Sequence, residues 1–137
     1  MVVFDTDVVS YVIRRAPPPA LLRRIAGLDP ESQAITSITA GELVYGAHRS
    51  NRAEVLLGRL EQLVFANVRV LPFDQSAAVT YGQVRAGLER AGRPVSEPDL
   101  RIAAICLTLD ATLATGNLRH FTHIPGLQVE DWLKDVR

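Results

Sequence analysis

The apolar positions of this chain fall into short runs separated by longer stretches with helical periodicity. The short runs are rich in valine, isoleucine and leucine and are bounded by polar, proline or glycine positions. Runs of this kind predict strands that are buried on both faces of a parallel sheet. The predicted strands are residues 2–5, 33–36, 68–73, 111–115 and 127–130.

The stretches between these runs predict helices. Proline at position 19 suits the first turn of a helix, and Gly27 suits its end. Residues 98–109 are apolar almost all round except at Arg101 and Thr108, which predicts a central, buried helix. The other predicted helices are residues 8–14, 18–26, 52–66 and 75–91, one that begins at Ser37 or Thr39 and ends near Ser50, and a short one at 117–121.

Strands and helices alternate from one end of the chain to the other. This order predicts an α/β fold, a three-layer α/β/α arrangement around a mostly parallel five-stranded sheet. The length is typical of one domain, so residues 1–137 are expected to form a single domain. In open parallel sheets the functional site forms outside the carboxyl ends of the strands.

Four polar side chains follow predicted strands or begin predicted helices. Asp5 ends the first strand, Glu42 lies near the start of the helix after the second strand, Asp99 opens the buried helix, and Asn117 follows the fourth strand. Their places at the carboxyl ends predict that they face one crevice.

Helix capping is the alternative explanation for these side chains, because helix N-termini favour carboxylates and amides. Thr39 to Glu42 fits the capping-box pattern, and Ser96 to Asp99 fits a looser form of it. Asp7 and Asn117 are suitable N-caps for the helices that follow them. Against capping alone, Asp99 begins a helix that is otherwise apolar, so its carboxylate needs a partner.

Converging carboxylates repel one another unless a cation is present. The candidate ligands Asp5, Glu42 and Asp99 offer only oxygen atoms, which suit a hard ion such as Mg²⁺ or Mn²⁺. Such an ion can activate a water molecule for attack on a phosphodiester. The single cysteine, Cys106, lies among apolar residues and cannot form an internal disulfide, so cysteine-rich metal sites are excluded.

Composition limits the possible binding partners and the cellular location. The formal net charge is zero, which argues against binding nucleic acid by bulk electrostatic attraction. No run of residues is long and apolar enough to cross a membrane and the N-terminus lacks a signal-like pattern, so a cytoplasmic location is expected. The arginines at 14, 15, 23 and 24 form a local cluster that either contacts RNA or solubilises the surface.

The sequence FDTD at residues 4–7 resembles the start of haloacid dehalogenase-type phosphatases. Those enzymes also need a lysine that holds the phosphate group. Lys134 is the only lysine and lies three residues from the C-terminus, too late to return to the sheet edge. The phosphatase alternative is therefore the weaker one.

A closer resemblance covers nearly the whole chain. FDTD, ELVYG at 42–46, PDLRIAA at 98–104, LATGNLRHF at 113–121 and PGLQVEDW at 125–132 resemble, in order, the signature blocks of VapC-type PIN-domain toxins. The resemblance implies a metal-dependent endoribonuclease of a toxin–antitoxin pair that leaves a 5′-phosphate. It also implies an antitoxin partner and a homodimer.

Carried over to this sequence, the resemblance makes Asp5, Glu42 and Asp99 the metal-binding acids and Asn117 the fourth catalytic residue. Thr6 and Thr115 match hydroxyl positions that orient carboxylates or water. Asn117 stands where many relatives have aspartate. Asp7, where many have asparagine, is either a helix cap or a supporting residue of the site.

Two further points remain open from the sequence. A PIN-fold binding module without catalytic activity is the non-enzyme alternative, and the intact set of acids argues against it. The apolar stripe in residues 52–66, formed by Val55, Leu56, Leu60, Leu63 and Val64, either packs on the sheet or receives a helix of the antitoxin. Glu97 is expected to face solvent, with an auxiliary role at the site as the alternative.

Overall fold

The computed structural model describes residues 1–136 and contains one five-stranded sheet. The strand order is β3-β2-β1-β4-β5, and all four neighbouring pairs are parallel. This confirms the predicted sheet. The strands are β1 (Val2–Phe4), β2 (Gln33–Thr36), β3 (Arg69–Leu71), β4 (Thr112–Thr115) and β5 (Gln128–Asp131).

Six α-helices connect and cover these strands. They are α1 (Thr6–Val12), α2 (Pro19–Ala26), α3 (Ser37–Arg49), α4 (Ala53–Arg59), α5 (Gln75–Arg90) and α6 (Glu97–Thr108). Short 3₁₀ turns lie at Pro30–Ser32 and Leu118–His120. No helix among residues 1–136 has the length and apolar character needed to cross a membrane.

The strand period of two divides the core between the two faces of the sheet. Val3 and Leu113 face the layer that contains α5 and α6. Their neighbours Phe4 and Ala114 face the layer built from α1 to α4. Helices on both faces of a parallel sheet give the three-layer α/β/α fold that the alternation predicts.

The buried helix is also confirmed. Five consecutive residues of α6, Ile102 to Cys106, are almost completely inaccessible, while Arg101 and Thr108 are exposed. Burial raises the pKa of the Cys106 thiol to about 12, so it stays protonated and unreactive at neutral pH.

The predicted helix at 52–66 is confirmed, but its second half is not α-helical. The α-helix ends at Arg59, and Leu60–Phe65 forms a π-helical segment. The wider turn changes the direction of the side chains, so the predicted stripe divides. Leu60 and Val64 are buried, whereas Val55 and Leu63 are about half exposed.

Candidate active site

The predicted polar residues lie at the carboxyl edge of the sheet, where β1, β2 and β4 end next to one another. Asp5 follows β1, Thr36 is the last residue of β2, and Thr115 is the last residue of β4. All three are buried. Parallel pairing brings residues that are far apart in sequence to one edge, and the helices that follow start there.

Asp5 is the most enclosed acid of this edge, at 5% exposure. Its Oδ1 accepts a hydrogen bond from the backbone N–H of Thr6 at 2.8 Å, and its Oδ2 accepts one from the Thr115 hydroxyl at 2.7 Å. Burial raises the pKa of Asp5 to about 6, and repulsion from Asp7 and Asp99 adds to the rise. The two hydrogen bonds oppose this rise only in part.

The raised pKa has a consequence for stability. The ordinary value for this carboxyl is 3.8, so between that pH and about 6 the folded protein holds a proton that the unfolded chain has released. The folded state binds more protons in this window, and its stability therefore falls as the pH rises through it. At neutral pH the ionised Asp5 costs the metal-free fold free energy, which a bound cation would offset.

Glu42 reaches the site through hydroxyl groups. The Thr6 hydroxyl donates to Glu42 Oε1 at 2.6 Å, and it lies 3.0 Å from the Thr39 hydroxyl. The predicted capping box is wrong, because α3 begins at Ser37 and its N-cap is Thr36, whose hydroxyl accepts from Thr39 N–H. Glu42 therefore lies in the second turn, where no capping role is available.

Asp7 is not an N-cap, and Asn117 occupies the N-cap position of the 3₁₀ turn at Leu118–His120 without making a side-chain capping bond. Asp5 is the N-cap of α1, and Asp7 lies in the first turn with Oδ1 accepting from Val8 N–H at 2.8 Å. Asp7 Oδ2 accepts from the backbone N–H of Gly116 at 2.9 Å and from the amide of Asn117 at 3.0 Å. Asp7 thus connects α1 to the loop after β4, and the prediction that it caps a helix is corrected.

Asp99 lies near the start of α6 and contacts an imidazole. Ser96 precedes the helix but makes no side-chain capping bond, so the looser capping box does not form. The Asp99 Oδ2 atom lies 3.2 Å from His120 Nδ1. This contact of His120 was not predicted from the sequence. The only sequence signal was its proximity to Asn117.

Glu97 contacts side chains of α5 and α6. It accepts hydrogen bonds from the Tyr81 hydroxyl at 2.6 Å and from Arg85 at 2.6 Å, and Arg101 lies 3.2 Å away. The bond from Tyr81, with the charges of Arg85 and Arg101, lowers the pKa of Glu97. Glu97 therefore stays ionised and binds side chains of this layer.

The donor chemistry fits a hard divalent ion. Within residues 1–136, no three His, Cys, Asp or Glu side chains are already gathered closely enough to hold an ion together. Asp5 and Asp99 are nevertheless close enough for their charges to interact. Because Mg²⁺ retains several waters and needs only one or two carboxylates, a closely gathered set of three acids is not required.

An apolar cleft lies between α1, α2 and the π-helical segment. Its volume is about 370 Å³, and none of the candidate acids lines it. Its walls come from α1, α2 and the π-helical segment, including Val12, Leu22, Ile25 and Leu63. Of the residues in the predicted apolar stripe, Val55, Leu56 and Leu60 do not line this cleft, whereas Leu63 does.

The arginine cluster is partly used within the chain. The Arg14 guanidinium lies 3.5 Å from the centroid of the Tyr11 ring. Arg24 lies 4.1 Å from the centroid of the Trp132 ring and 3.9 Å from Glu130. Two of the four arginines therefore stack on aromatic rings, which weakens the interpretation of the cluster as an RNA-binding patch.

Comparison with known proteins finds the same family from sequence and from structure. The family described as "PIN domain" matches residues 2–127. The tRNA(fMet)-specific endonuclease VapC of Shigella flexneri is 37% identical over 128 residues, which cover 93% of this chain and 95% of that protein. Ribonuclease VapC2 of Haemophilus influenzae is 31% identical over 129 residues, which cover 94% and 96%.

Solved structures agree with these sequence relatives. The DNA-bound VapBC structure from Salmonella typhimurium has a TM-score of 0.88 at 36% identity, covering 96% of this chain and 97% of that one. VapBC2 from Rickettsia felis, bound to a promoter DNA fragment, has a TM-score of 0.88 at 28% identity, covering 96% and 99%.

Proposed function

Because this chain belongs to the PIN-domain family and to its VapC-type ribonucleases, we propose that it is the RNA-cleaving toxin of a toxin–antitoxin pair and that its activity depends on Mg²⁺ or Mn²⁺. The reaction is the hydrolysis of RNA phosphodiester bonds by water, with a 5′-phosphate on one product. The cytoplasm, where the RNA is found, is its place of action.

The observation that carries the metal dependence is the state of Asp5. This carboxylate is 5% exposed and its pKa is raised to about 6, with Asp7 and Asp99 adding to the effect of burial. Structural carboxylates at helix starts are usually stabilised in their charged form. A buried acid that is destabilised by neighbouring acids instead supports a site built for a cation.

Each residue of the site has a definite task in this proposal. Asp5, Asp99 and Glu42 would hold the metal ion, and they would have to move closer together to do so, because no three such side chains are already gathered among residues 1–136. The bound ion would supply charge that activates water and offsets the negative phosphate oxygens. Thr115 fixes the Asp5 carboxylate and Thr6 fixes Glu42 by donating hydrogen bonds.

Asn117 is the fourth residue of the proposed site. Its side-chain Nδ2 donates a hydrogen bond to Asp7, so its side-chain Oδ1 remains as an acceptor that can orient water or substrate. Asp7 acts through Asn117 in this scheme.

The proposed protein partner is a cognate antitoxin, supported by the VapBC complexes among the structural neighbours. We place its contact at the apolar cleft of about 370 Å³, where Leu22 and Leu63 are 40% and 48% exposed. Exposed leucines that line a cleft are typical of a groove that receives an apolar helix face. A homodimer is part of the same proposal.

The non-enzyme alternative is a PIN-fold module that binds without cutting. It would have to tolerate the charge repulsion at Asp5 with no metal ion, and it would gain no stability from divalent ions. The phosphatase alternative is set aside because the chain belongs to the PIN family and its only lysine is at position 134.

A thermal unfolding experiment with Mn²⁺ tests the metal site at neutral pH, where Asp5 is ionised. Mn²⁺ at about 100 times its dissociation constant is expected to stabilise the wild-type protein by about 2.7 kcal/mol. Asp99→Asn should raise the melting temperature of the metal-free protein, because it relieves repulsion, and it should abolish both the Mn²⁺ response and RNA cleavage.

Glu97→Gln is the matched control. It removes an acid two residues from Asp99 that is engaged with α5, so the Mn²⁺ response should persist. An Asp99→Asn variant that responds to Mn²⁺ like the wild type contradicts the metal-ligand role. A wild-type protein that does not respond favours the binding module.

A further inference from the structure

An exposed aromatic ring lies on α3 and has no part in the core. Tyr45 is 62% exposed, more than any other large hydrophobic side chain described among residues 1–136. Single exposed apolar residues are common on protein surfaces. Tyr45 differs from such isolated residues in the side chains that surround it.

The ring belongs to a stripe that starts at the candidate active site. Residues three, four and seven positions apart share one face of a helix, so Glu42, Tyr45 and Arg49 lie in line along α3. Glu42 is the end of the stripe at the site, because it accepts the hydrogen bond from Thr6. The stripe extends about 10 Å from Glu42 to Arg49.

Tyr45 and Arg49 offer two kinds of contact side by side. The Arg49 guanidinium lies 5.6 Å from the centroid of the Tyr45 ring, and both residues are exposed. Unpaired RNA bases stack on tyrosine rings, and arginine pairs with the adjoining phosphate. Because the net charge of the chain is zero, RNA binding depends on local contacts of this kind.

The surface around the ring is open to an approaching chain. Side chains on a helix lean toward its N-terminus, so the ring lies over the turn that contains Gly41 and Glu42. A Cβ atom added at Gly41 or Gly46 would have no neighbour within 4 Å. Nothing described within the chain requires glycine there, although glycine weakens a helix.

We propose that Tyr45 and Arg49 form a subsite for an unpaired base of the RNA substrate, in which the ring stacks on the base and Arg49 binds a neighbouring phosphate. The subsite holds the strand that leads away from the acids. This inference rests on the proposed ribonuclease function, because it takes its ligand from that reaction.

RNA binding tests the subsite apart from cleavage. The probe is a fluorescein-labelled single-stranded oligoribonucleotide of mixed sequence, and its fluorescence anisotropy is measured with full-length Asp99→Asn protein. On that background, Tyr45→Ala should weaken binding about tenfold. Tyr45→Phe keeps the stacking face and should bind like the parent. Arg49→Gln should weaken binding and reduce the salt dependence by about one unit of slope.

Val79→Ala is the control, since Val79 is 56% exposed on α5. It should leave binding unchanged. A probe from which single bases are removed in turn locates the stacked base. A probe that lacks the stacked base should bind the Tyr45→Ala variant and the parent protein with equal affinity. That result would support the subsite.

Equal binding by Tyr45→Ala and the parent to the intact probe would overturn the subsite. So would a Tyr45→Ala variant whose oligomeric state changes while Tyr45→Phe keeps it, because the ring would then be a contact between protein chains. Cleavage by the wild-type chain is measured separately. Binding that depends on Tyr45 without any cleavage would support the subsite and overturn the ribonuclease proposal.

Discussion

Asp7 and Asn117 form one contact between parts of the chain that are 110 positions apart. The Asp7 carboxylate accepts from two backbone N–H groups and from the Asn117 amide. Because that amide nitrogen is held by Asp7, the Asn117 carbonyl oxygen is the atom left for other partners. A residue that resembles a helix cap in the sequence therefore decides how a candidate catalytic residue is oriented.

Exchanging the two residues tests this relationship. Asp7→Asn replaces one of the two acceptor oxygens with an NH₂ group, so the side chain can no longer accept from Val8, Gly116 and Asn117 together. RNA cleavage and Mn²⁺ affinity should therefore fall by roughly 10- to 100-fold. The double variant Asp7→Asn with Asn117→Asp restores a donor–acceptor pair with its direction reversed, and it should recover much of the loss. Cleavage rates and Mn²⁺-dependent melting temperatures measure both effects.

The single variant Asn117→Asp completes the cycle. It places two carboxylates in contact and should destabilise the metal-free protein. A double variant no better than Asp7→Asn alone would show that the contact does not orient Asn117.

At the scale of elements, the start of α3 decides where Glu42 lies. Thr36 ends β2 and caps α3 with the same side chain, so strand and helix are joined with no loop between them. Because α3 begins at Ser37, Glu42 lies in its second turn and not in its first. The Glu42 carboxylate accepts a hydrogen bond from the Thr6 hydroxyl there. The cap is buried at 0% exposure, so its hydrogen bond cannot be replaced by water.

Thr36→Val is expected to lower the free energy of unfolding by about 1 to 2 kcal/mol, because the Thr39 N–H loses its acceptor while the side-chain shape is kept. Urea denaturation measures the change. Thr36→Ser keeps the oxygen and should lose less. Equal losses in the two variants would assign the effect to packing instead of capping.

At the scale of the whole molecule, the acids and the apolar cleft form two surfaces with no residue in common. The acids lie at the carboxyl edge, whereas the apolar cleft lies between α1, α2 and the π-helical segment. The π-helical segment matters here because it leaves Leu63 exposed at the cleft while Leu60 and Val64 remain in the core. In the proposal made above, the antitoxin and the metal ion bind different residues, so the two activities should be separable by substitution.

Leu63→Glu should weaken antitoxin binding by roughly 10- to 100-fold, because it places a charge in an apolar contact. Leu63 is 48% exposed, so the fold and the Mn²⁺ response should remain. Leu109→Glu is the control, with 46% exposure at a position that does not line the cleft. Titration calorimetry with the purified antitoxin measures both variants, and equal affinities would move the antitoxin contact away from the cleft.

Prediction from sequence was most accurate for the order of elements and the location of the site. The continuous apolar run VVF and the nearly uniform apolar character of residues 98–109 indicate a buried strand and a buried helix. Asp5, Asp99 and Asn117 could be placed at the carboxyl edge because parallel strands bring their ends to one side. Helix starts were less accurate, because Asp5 and not Asp7 caps α1, and Thr36 and not Thr39 caps α3.

The sequence by itself therefore determined the α/β order, the buried α6 and the edge at which the acids meet, because these depend on periodicity and on the direction of strands. Only the tertiary structure decided that Asp7 holds Asn117, that His120 contacts Asp99 and that Tyr45 is exposed beside Arg49. Hydrogen-bond partners and exposure depend on atomic distances between elements, and packing sets those distances.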